Sequence, residues 1–186
     1  MNDISRNIII RASEGDIDAF EEIYRGYSGF VYNVALRVIS DKQYAEEVTQ
    51  DVFLTIYKKL LDFNFKASFK TWVYRIAVNT SINYAKKNQK HRNRTVEFDE
   101  KAFLVQEKGG VKEDIEREYD KKIIDRLLGF LSPEQRVCIV LRHIEEMSYE
   151  EISQVLDVNI NTVRTRLKRA REKLLSLDKE VKKDEL

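Results

Sequence analysis

Positive charge is concentrated in the segment NTVRTRLKRAREKL, residues 161–174, where side-chain type and spacing could support contacts with nucleic acid. Apolar residues recur there at helical spacing, which predicts a helix with one apolar face and a basic remainder. The apolar positions are Val163, Leu167, Ala170 and Leu174. The rest of the surface carries Arg164, Thr165, Arg166, Lys168, Arg169 and Arg171. Arginine can donate two hydrogen bonds to guanine in the major groove, and other cations neutralise phosphates.

A shorter helix is predicted directly before this basic helix. Ser148 and Glu151 form a capping box that opens it. Residues 157–159 make a turn, after which either Asn159 or Asn161 can cap the basic helix. Two short helices, of which the second is basic, are typical of a helix-turn-helix. The alternative is an ordinary helical hairpin whose basic face is simply solvated.

Aromatic, amide and basic side chains are interleaved in residues 63–90. Aromatic rings offer stacking faces for unpaired bases, amides can bond base edges, and cations can follow phosphates. The segment therefore predicts a surface for single-stranded DNA. The alternative is that the aromatic residues, Trp72 and Tyr74 among them, belong to the core. The residues concerned are Phe63, Phe65, Lys66, Phe69, Lys70, Trp72, Tyr74, Arg75, Asn79, Asn83, Tyr84, Lys86, Lys87 and Lys90.

An acidic face, formed by Glu46, Glu47, Gln50 and Asp51, lies on the helix predicted before that segment. Such a patch suits a basic partner helix, although charge on a long helix usually marks a solvated face. From the residues alone, the solvated face is the better interpretation.

Other reactive residue types do not assemble into a site. His91 and His143 have no second His or Cys at a metal-ligand spacing. Cys138, within an apolar run, is better interpreted as a buried small hydrophobic residue than as a nucleophile. The pair Gly109-Gly110 lacks the Lys-Ser/Thr of a phosphate loop. The sequence therefore predicts no catalytic residue, no metal and no cofactor.

The elements that must position these candidates are predicted to be helices. One Pro and six Gly among 186 residues are too few for a turn-rich β fold. Helical periodicity runs through residues 16–60, where a capping box at Ser40 and Gln43 is predicted to open a long helix. Its inner face is predicted to hold Tyr44, Val48, Val52, Ile56 and Leu60. Residues 61–68 are predicted to be a loop, and Ser68 to open the next helix.

The helical pattern fails between residues 89 and 113, which contain mixed charge and the Gly pair, and this predicts a flexible linker. We therefore expect an all-α chain of two small helical domains, residues 1–88 and 114–186. Ser132-Pro133-Glu134-Gln135 is predicted to open a helix of the second domain, which contains the helix-turn-helix. A short strand at 95–98 is an alternative of low weight.

Charge and hydropathy limit the partners and the compartment. The chain has 33 Lys and Arg against 32 Asp and Glu, so any basic surface must be local. No apolar run approaches the roughly 18 residues that a membrane span needs, and we expect no membrane insertion. The opening MNDISRNIIIRASEGD does not read as a secretory leader. A single Cys fits a reducing compartment, so we expect a cytoplasmic protein.

Four segments follow one another in an informative order: AEEVTQDVFLTIYKKL, SFKTWVYRIAVNTSINY, LSPEQRVCIVLRHIEEMSYEEISQVL and NTVRTRLKRAREKL. This order closely resembles the extracytoplasmic-function (ECF) subfamily of bacterial RNA polymerase sigma factors, over residues 15–174 except the linker. The resemblance implies a transcription initiation factor, not an enzyme. Its first domain, sigma region 2, would dock on the clamp of core RNA polymerase and melt the minus-ten promoter element. Its second, sigma region 4, would hold the flap and read the minus-thirty-five element.

The resemblance also assigns residues. It implies that Glu47, Gln50 and Asp51 are candidate contacts with core polymerase. Residues 61–68 match the family's specificity loop, which holds a flipped minus-ten base, although 64–66 here is Asn-Phe-Lys where an Arg-Gly-acidic stretch is frequent. The candidate minus-ten contacts are Phe63, Asn64, Phe65, Lys66, Trp72, Arg75, Asn79 and Asn83. The candidate minus-thirty-five contacts are Thr162, Arg164, Thr165, Arg166, Lys168, Arg169 and Arg171.

Two other classes of protein provide the alternatives. The first is a stand-alone helix-turn-helix regulator whose first domain binds another protein, such as a sensor. A duplex-binding regulator has no need of a single-strand surface, so residues 63–90 discriminate against it. The second is an enzyme with a DNA-binding tail, which would need a catalytic constellation that the sequence does not show. Because family members are commonly held by a membrane-associated anti-sigma factor, the resemblance also implies such a partner.

Overall fold

The computed structural model describes residues 4–95, 124 and 127–184, with side chains for 4–87, 124 and 127–177. Regular structure in these residues is entirely helical, which confirms the all-α prediction. The helices are α1 (Arg6–Ser13), α2 (Ile17–Ile39), α3 (Lys42–Lys59), α4 (Phe69–Thr95), α5 (Pro133–His143), α6 (Tyr149–Leu156) and α7 (Ile160–Asp184). A single 3₁₀ turn, Leu60–Asp62, follows α3. Residues 4–95 are called the first half below, and residues 127–184 the second half.

The first half is built around α2, which packs against α1, α3 and α4. Its start is fixed by Asp16, whose carboxylate accepts a hydrogen bond from the Ala19 N–H at 3.0 Å. The apolar face of α2 is buried because its apolar residues recur at spacings of three and four. The Phe30 ring on this face stacks on Tyr74 of α4 with ring centroids 3.4 Å apart. These contacts hold α4 against the core of the first half.

The boundary between α2 and α3 differs from the prediction by one residue. Ser40 ends α2 in a left-handed conformation, with φ of 60°, and its N–H donates to the Leu36 carbonyl at 2.7 Å. Asp41 is the residue that caps α3, because its carboxylate accepts the Tyr44 N–H at 3.1 Å. The capping box predicted at Ser40 is therefore wrong. Tyr44, expected on the inner face, is 40% exposed and leans on Tyr84 instead.

The second half confirms both of its predicted capping boxes. Ser132 with Gln135 opens α5, where Pro133 takes the first helical position, and Ser148 with Glu151 opens α6. A left-handed residue, Asp157 with φ of 54°, ends α6. Asn159 caps the basic helix, since its side-chain oxygen accepts the N–H of the second helical residue at 2.8 Å. Helices α6 and α7 thus form the predicted helix-turn-helix.

Loss of the Ser148 hydroxyl should weaken the second half measurably. The hydroxyl accepts the Glu151 N–H at 3.1 Å, and removing such a cap costs about 1 kcal/mol of free energy of unfolding. Urea unfolding of Ser148→Ala is the measurement. The control is Ser176→Ala, because the Ser176 hydroxyl donates to the carbonyl of Lys173 within α7 and caps nothing. Equal stability of the two variants would contradict the cap assignment.

The two halves pack against each other. Helix α6 lies against α4, and α5 lies against both α2 and α4. The buried apolar side chains of the two halves belong to one contiguous cluster. Helix α4 continues to Thr95, so residues 89–95 of the predicted linker are helical. Residues 96–113, the rest of that linker, lie outside the described residues, as does most of the weakly predicted strand at 95–98.

Candidate nucleic-acid interface

The acidic face is fully presented to solvent by α3. Glu47, Gln50 and Asp51 are exposed, because Ala45, Val48 and Val52 on the opposite side of the helix are buried. Two large apolar side chains that the sequence did not single out extend this surface. Leu54 and Tyr57 are 55% and 53% exposed. An acidic surface with an apolar margin of this kind can receive an amphipathic basic helix.

A groove separates α2 from the acidic face. Its walls come from both helices, and its α3 side includes Glu46 and Gln50. The remaining lining residues are Tyr24, Ser28, Gly29, Tyr32 and Thr49. The groove thus gives the acidic face a recess into which a partner's side chain could fit.

The 61–68 loop is organised around the ring of Phe63, which is only 8% exposed. Its centroid lies 4.8 Å from that of Phe65, 5.3 Å from Phe69 and 5.1 Å from Trp72. Trp72 is itself partly buried against the core. Phe63 is therefore the buried centre of an aromatic cluster, so its ring supports the loop.

Phe65 stands at the tip of this loop in a conformation that is unusual for a bulky residue. Its φ is +57° and it is 38% exposed. Such left-handed backbone costs of order 1–3 kcal/mol and persists only where the surroundings hold it. The neighbouring Asn64 side chain accepts the Lys66 N–H at 3.2 Å, which tightens the turn. The loop thus exposes part of an aromatic ring to solvent.

Arg6 is a residue of this surface that sequence reasoning missed. Its guanidinium lies 4.5 Å from the centroid of the Phe65 ring, a cation–π arrangement. Helix α1 supplies it, and α1 contacts the 3₁₀ turn that leads into the loop. No local motif marks Arg6, because the contact joins segments far apart in the sequence.

Candidate residues on α4 form a stripe along one side of the helix. Arg75, Asn79, Asn83 and Lys86 recur at spacings of three and four, and we call them the α4 stripe. Asn79 and Asn83 are exposed. Asn79 follows Trp72 by seven residues, which is about 10 Å along a helix axis. The structure therefore joins Phe63, Phe65 and Trp72 in one cluster and places Asn79 two turns further along the same helix.

Arg75 is engaged by the second half of the chain. Its Nη2 donates to the carbonyl of Gln154 at 2.7 Å and lies 3.4 Å from Oδ1 of Asp157. Both partners belong to the second half, because α6 lies against α4. The sequence pattern does not predict these contacts, and the role of Arg75 as a minus-ten contact stays a prediction.

The basic surface of α7 is the most open part of the site. Its exposed members are Arg164, Thr165, Lys168, Arg169 and Arg171, while Thr162 and Arg166 are half-buried. Arg164 Nη1 donates to Oδ1 of Asn161 at 3.0 Å, which holds the guanidinium near the start of the helix. Lys168 lies 3.8 Å from Glu172, a contact too exposed to fix it. These cations can reach base edges and phosphates of a duplex.

Arg166 faces inward. Its positive charge affects the neighbouring Cys138. Burial raises the pKa of the Cys138 thiol to about 11, and the charge of Arg166 partly opposes this rise. Full burial of Cys138 confirms the expectation of a small hydrophobic residue. His143, beside Arg171, has its pKa lowered by burial and by the adjacent guanidinium groups. Neither group is poised for nucleophilic chemistry.

The described residues hold neither a metal-ligand cluster nor a membrane-spanning helix. Within the part of the chain that the structure describes, no group of three or more His, Cys, Asp or Glu could hold a metal ion. In those same residues, no helix is both long enough and apolar enough to cross a membrane.

Comparison with known families accounts for both halves. The model of sigma-70 region 2 matches residues 23–91, and the model of sigma-70 region 4 matches residues 121–174. The first match covers the acidic face, the 61–68 loop and the α4 stripe. The second covers the helix-turn-helix.

Two solved structures share the fold. CnrH, in complex with the cytosolic domain of CnrY, gives a TM-score of 0.67 at 24% identity, covering 96% of this chain and 99% of that one. RpoE from Bartonella quintana, in complex with the anti-sigma factor NepR, gives 0.63 at 23% identity, covering 86% and 96%.

Curated relatives identify the subfamily. The ECF RNA polymerase sigma factor SigW of Bacillus subtilis is 31% identical over 173 residues, which are 89% of this chain and 92% of the relative. The ECF RNA polymerase sigma-E factor of Escherichia coli K12 is 32% identical over 172 residues, 89% of each chain. The chain therefore belongs to the extracytoplasmic-function subfamily of RNA polymerase sigma factors, which direct core polymerase to promoters at the start of transcription.

Proposed function

We propose that this sigma factor divides promoter recognition between two domains, predicted as residues 1–88 and 114–186. The predicted linker between them is 89–113, of which residues 89–95 form the end of α4. The first docks on the polymerase clamp and captures the melted minus-ten strand. The second holds the flap and reads the minus-thirty-five duplex. The observation that supports this most directly is the presence of two chemically different surfaces. One is the partly exposed ring of Phe65 beside a buried aromatic cluster, and the other is the exposed basic surface of α7.

The chemistry of each surface fits its proposed ligand. A ring such as Phe65 can stack on any base, and the amides of Asn79 and Asn83 can bond base edges. An arginine at the start of α7 can bond two atoms of guanine, whereas the more distal cations lie where phosphates run. The chain itself performs no covalent chemistry in this proposal, and it works in the cytoplasm where the polymerase is.

Docking on core polymerase is assigned to the acidic face. Its exposed carboxylates and amide suit a basic partner helix, and the exposed Leu54 and Tyr57 add apolar area beside them. In such an interface the charges set orientation and association rate, while the apolar contacts supply much of the affinity.

Gln50→Ala combined with Asp51→Arg should weaken binding to core polymerase by roughly tenfold or more, because a cation would then face a basic partner. Pull-down of purified core polymerase by each protein, titrated to give Kd, is the measurement. The matched control is Asn33→Ala with Glu22→Arg, two exposed positions of α2 outside the acidic face. Equal Kd values for this pair of variants would remove the acidic face from the docking site.

A regulatory partner is also part of the proposal. The two solved relatives are bound to the cytosolic domain of CnrY and to the anti-sigma factor NepR. We extend to this chain the expectation of an anti-sigma factor, which the family resemblance also implies.

A further inference from the structure

One end of the α4 stripe is held by the second half of the chain. Arg75 donates to the Gln154 carbonyl at 2.7 Å and faces the Asp157 carboxylate at 3.4 Å. The first is the geometry of a strong charged hydrogen bond, and the second adds direct charge attraction. Arg75 thus has one carbonyl oxygen and one carboxylate oxygen as partners, and the carboxylate supplies the negative charge that a DNA phosphate would offer.

The other end of the stripe is held in the same way. Lys86 Nζ lies 2.5 Å from Oε1 of Glu134 in the first turn of α5. Burial works to raise the pKa of Glu134, yet the hydrogen bond from Lys86 helps to hold it below its ordinary value. Arg75 and Lys86 are about 16 Å apart along the helix axis, with the exposed Asn79 and Asn83 between them. A carboxylate of the second half therefore stands at each end of the stripe.

A third carboxylate continues this arrangement. Glu145, just after α5, is close enough to Arg37 and Lys70 of the first half to interact with both. Burial raises the pKa of Glu145, and these two cations oppose that effect. Three carboxylates of the second half thus lie near cations of the first half, whereas most cations of α7 are exposed.

Packing contacts reinforce these ion pairs. Arg136 of α5 donates to the Val38 carbonyl at the end of α2, and it also donates to the carbonyls of Gly129 and Leu131 within the second half. The apolar clusters of the two halves are continuous. Partly exposed ion pairs alone contribute little free energy. This packing is therefore needed to stabilise the arrangement in which the two halves are in contact, which we call the closed chain.

We propose that the second half of the chain is an intramolecular competitor for the minus-ten strand, with Asp157 and Glu134 occupying Arg75 and Lys86 in place of DNA phosphates. This inference rests on the proposed function of the α4 stripe. In the closed chain the stripe is engaged at both ends, while the cations of α7 stay exposed. Capture of single-stranded DNA then requires the halves to separate, and apparent affinity falls with the fraction of closed chain.

The test compares two full-length variants with the same change in net charge. Glu134→Lys with Asp157→Asn places repulsion against Lys86 and removes the carboxylate beside Arg75. Asparagine tolerates the left-handed backbone that Asp157 adopts. The control is Glu150→Lys with Glu14→Gln, two exposed acids that are not the ion-pair partners of Arg75 or Lys86. Compactness is measured by small-angle X-ray scattering, and affinity by fluorescence anisotropy with a pool of random single-stranded 15-mers.

The first variant should have a larger radius of gyration than the control. It should also bind the oligonucleotide pool roughly two- to thirtyfold more tightly, which is the change in affinity expected from the loss of two partly exposed ion pairs. Equal affinity and equal compactness in the two variants would overturn the proposal, as would opening without a gain in affinity. Circular dichroism melting curves confirm that both variants are folded. Transcription by the wild type with excess core polymerase is measured alongside, so a failure of the sigma function itself is recognised separately.

Discussion

Phe65→Ala should slow open-complex formation by the holoenzyme by about five- to a hundredfold, since stacking on an aromatic ring is worth about 1–3 kcal/mol per base. Closed-complex binding to duplex promoter DNA should stay nearly unchanged. The reason is that stacking on the partly exposed ring of Phe65 needs a base that has left the duplex. Asn79→Ala should give the same kind of defect, because an amide on the α4 stripe can contact a base only after the strands separate.

Permanganate footprinting of unpaired thymines measures this opening directly. A template that carries a pre-melted bubble should rescue both variants, because the strand separation that they fail to stabilise is already present. Phe65→Leu is the matched control, since leucine keeps apolar packing on the Phe63 ring but offers no stacking face. Normal footprints for Phe65→Ala, at a normal melting temperature, would show that the loop does not capture a base.

The variant Phe63→Ala shows what simple loss of structure would look like, for comparison with loss of base capture in Phe65→Ala. Its ring is buried among three other aromatic rings, so Phe63→Ala should cost about 3–5 kcal/mol of stability. All activities should then fall together, with a lower melting temperature. A bubble template should not rescue that variant. The contrast between Phe65 and Phe63 therefore distinguishes a base-capturing ring from a supporting one.

Arg164→Ala should reduce the binding free energy for the best minus-thirty-five duplex by about 1–3 kcal/mol. It should also relax the base preference at one position of that duplex. Arg164 is exposed at the start of α7, and its contact with Asn161 holds the guanidinium near the part of a recognition helix that meets base edges. Lys168→Ala, one turn further along, should instead weaken all duplexes about equally and reduce the salt slope by about one.

Competition binding on promoter and scrambled duplexes over a salt series tests both variants. Arg169→Ala provides a second phosphate-type comparison, because Arg169 is exposed on the same helix. A uniform loss of affinity for Arg164→Ala across all duplexes would show that it contacts phosphate. Retained discrimination at every position would then place base readout on another side chain of α7.

The helices could be predicted because their signals are local. The boxes opened by Ser132 and Ser148 place a side-chain acceptor next to its own backbone donors, so the residue types alone locate the helix starts. Ser40 and Asp41 are both good caps, and only the left-handed φ of Ser40 decides between them. Local preference cannot resolve adjacent candidates of that kind.

The direction of individual cations could not be predicted from helical spacing. Arg75 and Arg166 both occupy positions that the pattern assigns to solvent, yet one bonds the second half and the other leans on Cys138. The contact of Arg6 with the Phe65 ring could not be predicted for the same reason. Each depends on contacts between segments distant in sequence, and a single chain carries no periodic signal for such contacts. The 61–68 loop and the basic helix α7 could be predicted because the residues of each are adjacent in the sequence.

Transcription by core polymerase reconstituted with this protein tests the central claim most directly. Fragmented genomic DNA is the template, and the 5′ ends of the transcripts are mapped. The account predicts discrete start sites that depend on the added protein and share two sequence elements, one near minus thirty-five and one near minus ten. An absence of protein-dependent start sites, with core polymerase shown to be active with another sigma factor, would contradict the account.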